Sequence, residues 1–301
     1  MSKLSKTYDE TPYPNQSSVS KFQCLSSKEE GSLAREEGEV LMKTLVLANQ
    51  KGGVGKTAIA CQLGYFLVEH LKKRVLIIDL DHQGNTSKNI TMSKLATISA
   101  TTANQLLLDP VTTIEEGNFV MVPSHADLLK LERREESHNQ FATNLKLFLN
   151  EIDDRFDVAI IDTNPNPDIR VLASLVVGDF VLSPIQLNQE AVDGIAALRA
   201  QVLKIQSTLN KDLRFIGLLP NLVEPTPFQR ANFDQLCAAF ASLFIRLDDG
   251  RMAAIPSRTA VAEAQAMGAP IWTLQKTSSR DAWMHLKPIF QKVAHTMGVI
   301  E

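Results

Sequence analysis

Cysteine is scarce in this chain of 301 residues: Cys24, Cys61 and Cys237 stand far apart and in no CxxC pair. A disulfide scaffold, a zinc knuckle and a cysteine-bound iron–sulfur site are therefore not expected. Long apolar runs are missing too. No stretch approaches the roughly 20 uninterrupted apolar residues of a membrane span, and the polar start does not resemble a signal peptide. No internal repeat is visible. What is present is ordinary for a globular protein, 44% apolar and 22% charged residues, which sets aside collagen-like, coiled-coil and largely disordered chains. The length permits one large α/β domain or two small ones, with ample chain for a core. A soluble, cytoplasmic protein is expected.

The formal net charge of −3 is unevenly spread. Residues 1–41 carry 5 Lys/Arg against 7 Asp/Glu, residues 42–198 carry 14 against 19, and residues 199–301 carry 12 against 8, so only the last third is basic, at +4. A basic third on an acidic protein suits an anionic partner such as nucleic acid or lipid, or is scatter on a solvated surface; composition leaves both open.

Residues 1–41 contain polar, proline-bearing text from Tyr8 to Ser20 and an acidic run from Ser27 to Glu39, without a sustained apolar period. A mobile arm is expected there, with one short helix near Glu29–Glu37 and too little chain for a helix-turn-helix domain with its own core. Met42 follows directly and offers a second translation start. Beyond it, strands are expected at Thr44–Ala48, Val75–Leu80, Phe119–Val122, Val158–Ile161, Phe180–Pro184 and Phe215–Leu219. Helices are expected at Thr57–Leu71, Ala126–Arg134, Asn139–Ile152, Ile169–Val177, Gln189–Leu209, Phe228–Phe240, Arg258–Met267 and Ser279–Met297. Several strands are Val/Ile/Leu runs with little alternation, as in parallel strands buried on both faces. The pattern predicts one α/β domain over residues 42–301, a doubly wound, mostly parallel sheet with helices on both faces. Its ligands should bind beyond the carboxyl ends of the strands.

The strongest local signal is Asn49-Gln50-Lys51-Gly52-Gly53-Val54-Gly55-Lys56-Thr57, set between a strand and a helix. Three glycines let backbone N–H groups close around phosphate oxygens where a Cβ would obstruct them. The helix that follows aims its positive end at the same place. Lys56 then neutralises the β/γ-phosphates and Thr57 offers its hydroxyl to Mg²⁺. The strict GxxxxGK[ST] pattern fails, because Gln50 stands where its first glycine belongs and Lys51 is an additional lysine. Gly52, Gly53, Val54, Gly55, Lys56, Thr57 and Ala58 are the expected nucleotide contacts.

This loop resembles that of the deviant-Walker-A ATPases, and within them the ParA-type plasmid and chromosome partition proteins, with the likeness running from about Met42 to the C-terminus. The resemblance implies a P-loop NTPase fold, ATP/ADP and Mg²⁺ as cofactors, and slow ATP hydrolysis. It also implies that Lys51 reaches across a nucleotide-sandwich homodimer to the phosphates bound by the other subunit. ATP would then favour the dimer, and loss of the γ-phosphate would release it. Asp79-Leu80-Asp81-His82-Gln83-Gly84-Asn85 is similar to the family's DLDPQGN switch, with His82 in place of proline. The resemblance gives Asp79 a place in the Mg²⁺ shell through water, and Asp81 the orienting or activation of the attacking water, with Asn85 nearby. Asp157–Thr163 is an apolar strand ending in Asp162, the Walker B position that holds Mg²⁺ directly or through water. Family members commonly continue Thr-Pro-Pro; here the text is Thr163-Asn164-Pro165-Asn166-Pro167. The two asparagines either bind water near the γ-phosphate or form turns, and stay unassigned. In the loop Leu219–Pro225, Asn221 either reads the adenine edge, as the resemblance implies, or is a turn former.

Ile255–Ala264 followed by Gly268-Ala269-Pro270 resembles a family segment whose basic residues grip DNA without sequence preference. Ser257 and Ala260 occupy the positions of its two arginines, and Arg258 is the nearest substitute. With Arg246, Arg251, Lys276 and Arg280 it either forms a basic surface for nonspecific double-stranded DNA or is an ordinary solvated face. The resemblance further implies a ParB-like centromere-binding partner that stimulates hydrolysis, a nucleoid-associated location in a bacterium, and segregation of a plasmid or chromosome. The alternative is a ParA-like ATPase that positions a protein cargo or a conjugation complex with the same nucleotide chemistry. A membrane-cycling MinD-type protein needs a basic amphipathic C-terminal helix, and nothing follows the closing helix here, so no membrane partner is expected. An iron–sulfur carrier lacks its bridging cysteines. A non-enzymatic repressor or scaffold has no need of Asp81 and Asp162 beside such a loop. For the 1–41 arm, partner contact and autoregulation are equally open.

Overall fold

A computed structural model describes residues 41–110, 112–133 and 137–301. The arm expected at 1–41, with its short helix, lies outside the described residues except for Leu41.

The strands are β1 (Lys43–Leu47), β2 (Val75–Asp79), β3 (Thr97–Ile98), β4 (Phe119–Val122), β5 (Val158–Asp162), β6 (Phe180–Ile185) and β7 (Arg214–Pro220). They form one sheet in the order β3-β4-β2-β5-β1-β6-β7, and every pairing is parallel. The Val/Ile/Leu runs fit that arrangement because both faces are covered. Val46, Leu76, Ile78, Ala159 and Ile161 join one apolar cluster, while Leu45, Leu47, Ile77, Val158 and Ile160 join the other.

The helices are α1 (Lys56–Glu69), α2 (Asn85–Ser93), α3 (Ala103–Leu108), α4 (Leu128–Leu131), α5 (His138–Glu151), α6 (Ile169–Val177), α7 (Ala191–Thr208), α8 (Pro227–Phe240), α9 (Thr259–Met267) and α10 (Thr277–Thr296). Residues of α3, α5, α6 and α7 pack on the first face, and those of α1, α9 and α10 on the second. Each fully buried Leu, Ile or Phe in these layers contributes about 1.5–3 kcal/mol of transfer free energy. The doubly wound parallel sheet is as expected.

Four elements differ from expectation. The helix α3 was not expected, because its six residues are fewer than two turns and show no helical period. β3 has two residues, too few to show a period. The expected helix Ala126–Arg134 contracts to Leu128–Leu131, because only those two leucines of its apolar stripe reach the core. The helix α2 was not expected. Its text, NTSKNITMS, has no apolar stripe: Ile90 alone enters the core, and polar bonds to the neighbouring strand end hold its first turn.

The order β2-β5-β1 decides where chemistry can occur. It places the carboxyl ends of these three strands side by side, with Leu47 and Asp79 each in register with Asp162.

Candidate active site

The loop between β1 and α1 is fixed from several sides. The Asn49 side chain donates to the Pro184 carbonyl at 2.6 Å and accepts from the Lys51 N–H at 2.8 Å. Gln186 Nε2 donates to the Gly53 carbonyl at 3.0 Å. Gly53 and Gly55 have φ of 75° and 92°, the left-handed region that glycine enters at least cost. At Gly55 space is also decisive, since a Cβ there would lie 2.0 Å from Asn221 Nδ2. No side chain caps the N-terminus of α1, so its first N–H groups point into the loop without a protein side-chain acceptor at the cap. Lys56 is buried, with Nζ donating to the Asn49 and Lys51 carbonyls at 3.3 and 3.4 Å. Burial holds its pKa below the ordinary lysine value, against the opposing pull of Asp162 and Asp81.

Asp162 is buried at the end of β5. Its Oδ2 accepts from Thr57 Oγ1 at 2.9 Å and from Thr86 Oγ1 at 2.6 Å, while Oδ1 is buried without a hydrogen-bond partner. Asp79, at the end of β2, accepts from the Ser87 N–H and hydroxyl through Oδ2 and from the Asp81 N–H through Oδ1. It thereby takes the place of a cap for α2, whose N-cap Gly84 has no side chain to offer. Burial pushes both carboxyls above the ordinary aspartate range, and Asp162 raises Asp79 further. Two adjacent buried acids, one with an orphaned oxygen, are costly unless a cation compensates them. The pair and the Thr57 hydroxyl are hard oxygen donors, which suits Mg²⁺. Among the described residues, no group of three or more His, Cys, Asp or Glu side chains is placed to hold a metal ion.

A cleft of ≈ 840 Å³ opens over this floor. Gly52–Ala58, Asp81 and Asn85 line it, together with His82, Lys88, Pro165 and the α9 residues Ala262, Gln265 and Ala266. Lys51 lies at its side, with Nζ on Glu190 Oε2 at 2.5 Å, just before α7. Asp79, Asp162 and Asn221 form no part of the lining. Asn221 is buried, and its Nδ2 donates to the Val54 carbonyl at 2.8 Å, so its amide nitrogen is committed to the rear of the phosphate loop. Sequence reasoning missed Thr86, Ser87 and Lys88; the only signal was their position directly after Asn85, in a stretch without hydrophobic period.

Residues 42–215 match the family model described as an AAA domain, more than half of the chain. Protein IncC of Escherichia coli is 31% identical over 283 residues, a match covering 91% of this chain and 75% of that protein. The chromosome-partitioning ATPase Soj of Treponema pallidum is 30% identical, covering 76% of this chain and 88% of its own length. The chain belongs to the ParA-type partition ATPases. Among solved structures, a Cyanothece McdA variant in complex with ATP has the same fold, with a TM-score of 0.70 at 22% identity over 86% of this chain and 98% of that one.

In this ParA-type chain the C-terminal cations are not equivalent. Arg251 pairs with Asp249 at 2.6 Å and Lys276 with Glu263 at 2.7 Å, both exposed. Arg258 reaches only the Ser257 carbonyl at 3.3 Å. Arg258 and Arg280 form no ion pair among the described residues. Ala260 is fully buried on the α9 core face, so the position held by arginine in the resembling segment here serves packing. No described helix is long and apolar enough to cross a membrane.

Proposed function

We propose that this partition ATPase binds ATP with Mg²⁺ at the cleft, closes into a sandwich homodimer, binds nonspecific duplex DNA in that state and leaves it on slow hydrolysis. The observation that carries the reading is the uncapped N-terminus of α1 at the cleft, with Lys56 and Thr57 in its first turn and, behind Thr57, the buried Asp162 that accepts its hydroxyl and keeps one oxygen orphaned. N–H groups from Gly52 to Ala58 wrap the phosphates, and Lys56 exchanges its two carbonyl acceptors for phosphate oxygens. Thr57 and Asp162 would hold Mg²⁺, with Asp79 supporting them through water, and the ion would supply positive charge against the phosphate oxygens. Asp81 orients the attacking water, with Asn85 beside it on the cleft wall. Asn221 serves the nucleotide through the loop, by fixing Val54.

Lys51 exchanges Glu190 for phosphates bound in the second subunit. The Glu190 side of the present pair is in water and screened, so its loss hardly opposes dimerisation. Arg258 and Arg280 take DNA phosphates first, and Arg251 and Lys276 add to them by leaving their carboxylates. A ParB-like centromere-binding protein accelerates the hydrolytic step, so that repeated binding and release move a plasmid or chromosome. The paired state of Arg251 and Lys276 favours one second reading, in which the same cycle positions a protein cargo.

Sedimentation velocity with ATP–Mg²⁺, with ADP and without nucleotide tests the core of this. The wild-type protein should dimerise with ATP alone. Lys51→Ala should bind ATP within a few-fold of wild type and stay monomeric. An unimpaired ATP dimer of Lys51→Ala contradicts the cross-subunit role, and failure of wild type to bind ATP contradicts the whole reading.

A further inference from the structure

His82, which replaces the proline of the resembling switch, faces an unusual neighbour. Arg170, in the first turn of α6, is almost fully buried. Its guanidinium holds Asp168 through Nε at 3.0 Å and through Nη2, and Asp168 in turn accepts from Asn164 Nδ2 at 2.8 Å. The remaining nitrogen, Nη1, crosses to the other loop. It lies 3.5 Å from the Leu80 carbonyl and 3.3 Å from His82 Nδ1. Asp168, Arg170 and His82 thus tie the segment after Asp162 to the segment after Asp79.

A guanidinium has donors only. A hydrogen bond between Arg170 and Nδ1 therefore requires Nδ1 to accept, which leaves His82 neutral with its proton on Nε2. Gln83 Nε2 lies 3.1 Å from His82 Nε2; turning the exposed Gln83 amide over, an exchange of O and N that leaves its shape unchanged, brings its oxygen to that proton. The choice of tautomer matters because Nδ1 is also 3.5 Å from Asp81 Oδ1. With the proton on Nδ1, the ring would donate to Asp81 and compete with an attacking water for the charge of that carboxylate. With the proton on Nε2, Oδ1 accepts the Gln83 N–H at 3.0 Å and nothing from the imidazole.

We propose that Arg170, braced by Asp168, is a positioning residue for ATP hydrolysis: it locks His82 in the Nε2–H tautomer and so keeps the Asp81 carboxylate free for water. This deepens the hydrolytic function proposed above and rests on it. Removing Arg170 frees His82 to donate to Asp81, so the damage should require the histidine.

Two measurements on the full chain test this. Nitrogen-15 NMR of histidine-labelled protein should show His82 protonated at Nε2 in wild type and shifted toward Nδ1–H in Arg170→Met. Steady-state turnover of Arg170→Met should fall about tenfold with KM for ATP nearly unchanged. His82→Ala, alone or combined with Arg170→Met, should turn over faster than Arg170→Met. A structural defect from unpaired Asp168 would not be relieved by a change at His82, and Asp168→Asn/Arg170→Met removes that charge in case the single variant folds poorly. An Nδ1–H tautomer in wild type, or an Arg170→Met defect that His82→Ala leaves untouched, overturns the positioning role alone. An Nε2–H tautomer in a wild-type protein that hydrolyses no ATP overturns the hydrolytic function itself.

Discussion

The ends of β1, β2 and β5 and the surface around α9 and α10 handle charge in opposite ways. At the strand ends Lys56, Asp79 and Asp162 are buried, and each is fixed by backbone or hydroxyl partners. Around α9 and α10 the cations are in water: the Arg251 side chain is 77% exposed and that of Lys276 58%. Buried charge must be matched by geometry, so a single arrangement survives. Exposed pairs contribute about 0–1 kcal/mol and exchange partners readily. The first region can therefore hold one ligand in one pose, whereas the second can hold any polyanion loosely.

The largest effect should come from breaking the buried region. Lys56→Ala removes the buried lysine of the phosphate loop and should weaken ATP on the order of a hundredfold, read by calorimetric titration, because hydrogen bonds to charged groups are worth about 1.5–3 kcal/mol each. A sharper test compares two glycines in one loop. Gly55→Ala meets Asn221 at 2.0 Å and φ of 92°, while Gly53→Ala meets φ of 75° with nothing within 4 Å. Gly53→Ala should cost about 1–2 kcal/mol of stability, from the left-handed backbone alone. Gly55→Ala should cost clearly more in the same denaturation experiment, and Asn221→Ala should recover part of the excess. The smallest effects belong to the exposed surface. Replacing Arg258 and Arg280 together by alanine should lower DNA affinity and reduce the salt slope by about 2, given roughly 0.9 per phosphate contact. Arg251→Ala should change it less, since Asp249 already holds that side chain.

The two regions also differed in how far the sequence revealed them. The parallel sheet followed from Val/Ile/Leu runs alternating with helical text, and the cleft lining at Gly52–Ala58, Asp81 and Asn85 from contiguous motifs, because each motif sits at a strand end and the backbone alone aims it. Pairings across long separations were not legible. Nothing local announces that Thr86 bonds Asp162, that Asn221 closes on Val54, or that Arg170 reaches His82, 88 positions away. The short α2 escaped because polar bonds to Asp79, not an apolar stripe, hold its first turn. On the basic surface the residue types were plain, but the carboxylates beside Arg251 and Lys276 became evident only in three dimensions.

The central claim is that nucleotide in the buried region governs polyanion binding at the exposed one. Binding of the purified protein to random-sequence duplex DNA, measured over a salt series with ATP–Mg²⁺, with ADP and without nucleotide, tests it most directly. The account predicts tight binding with ATP–Mg²⁺ only, falling steeply as salt rises. Equal binding in all three states, or none in any, would contradict it.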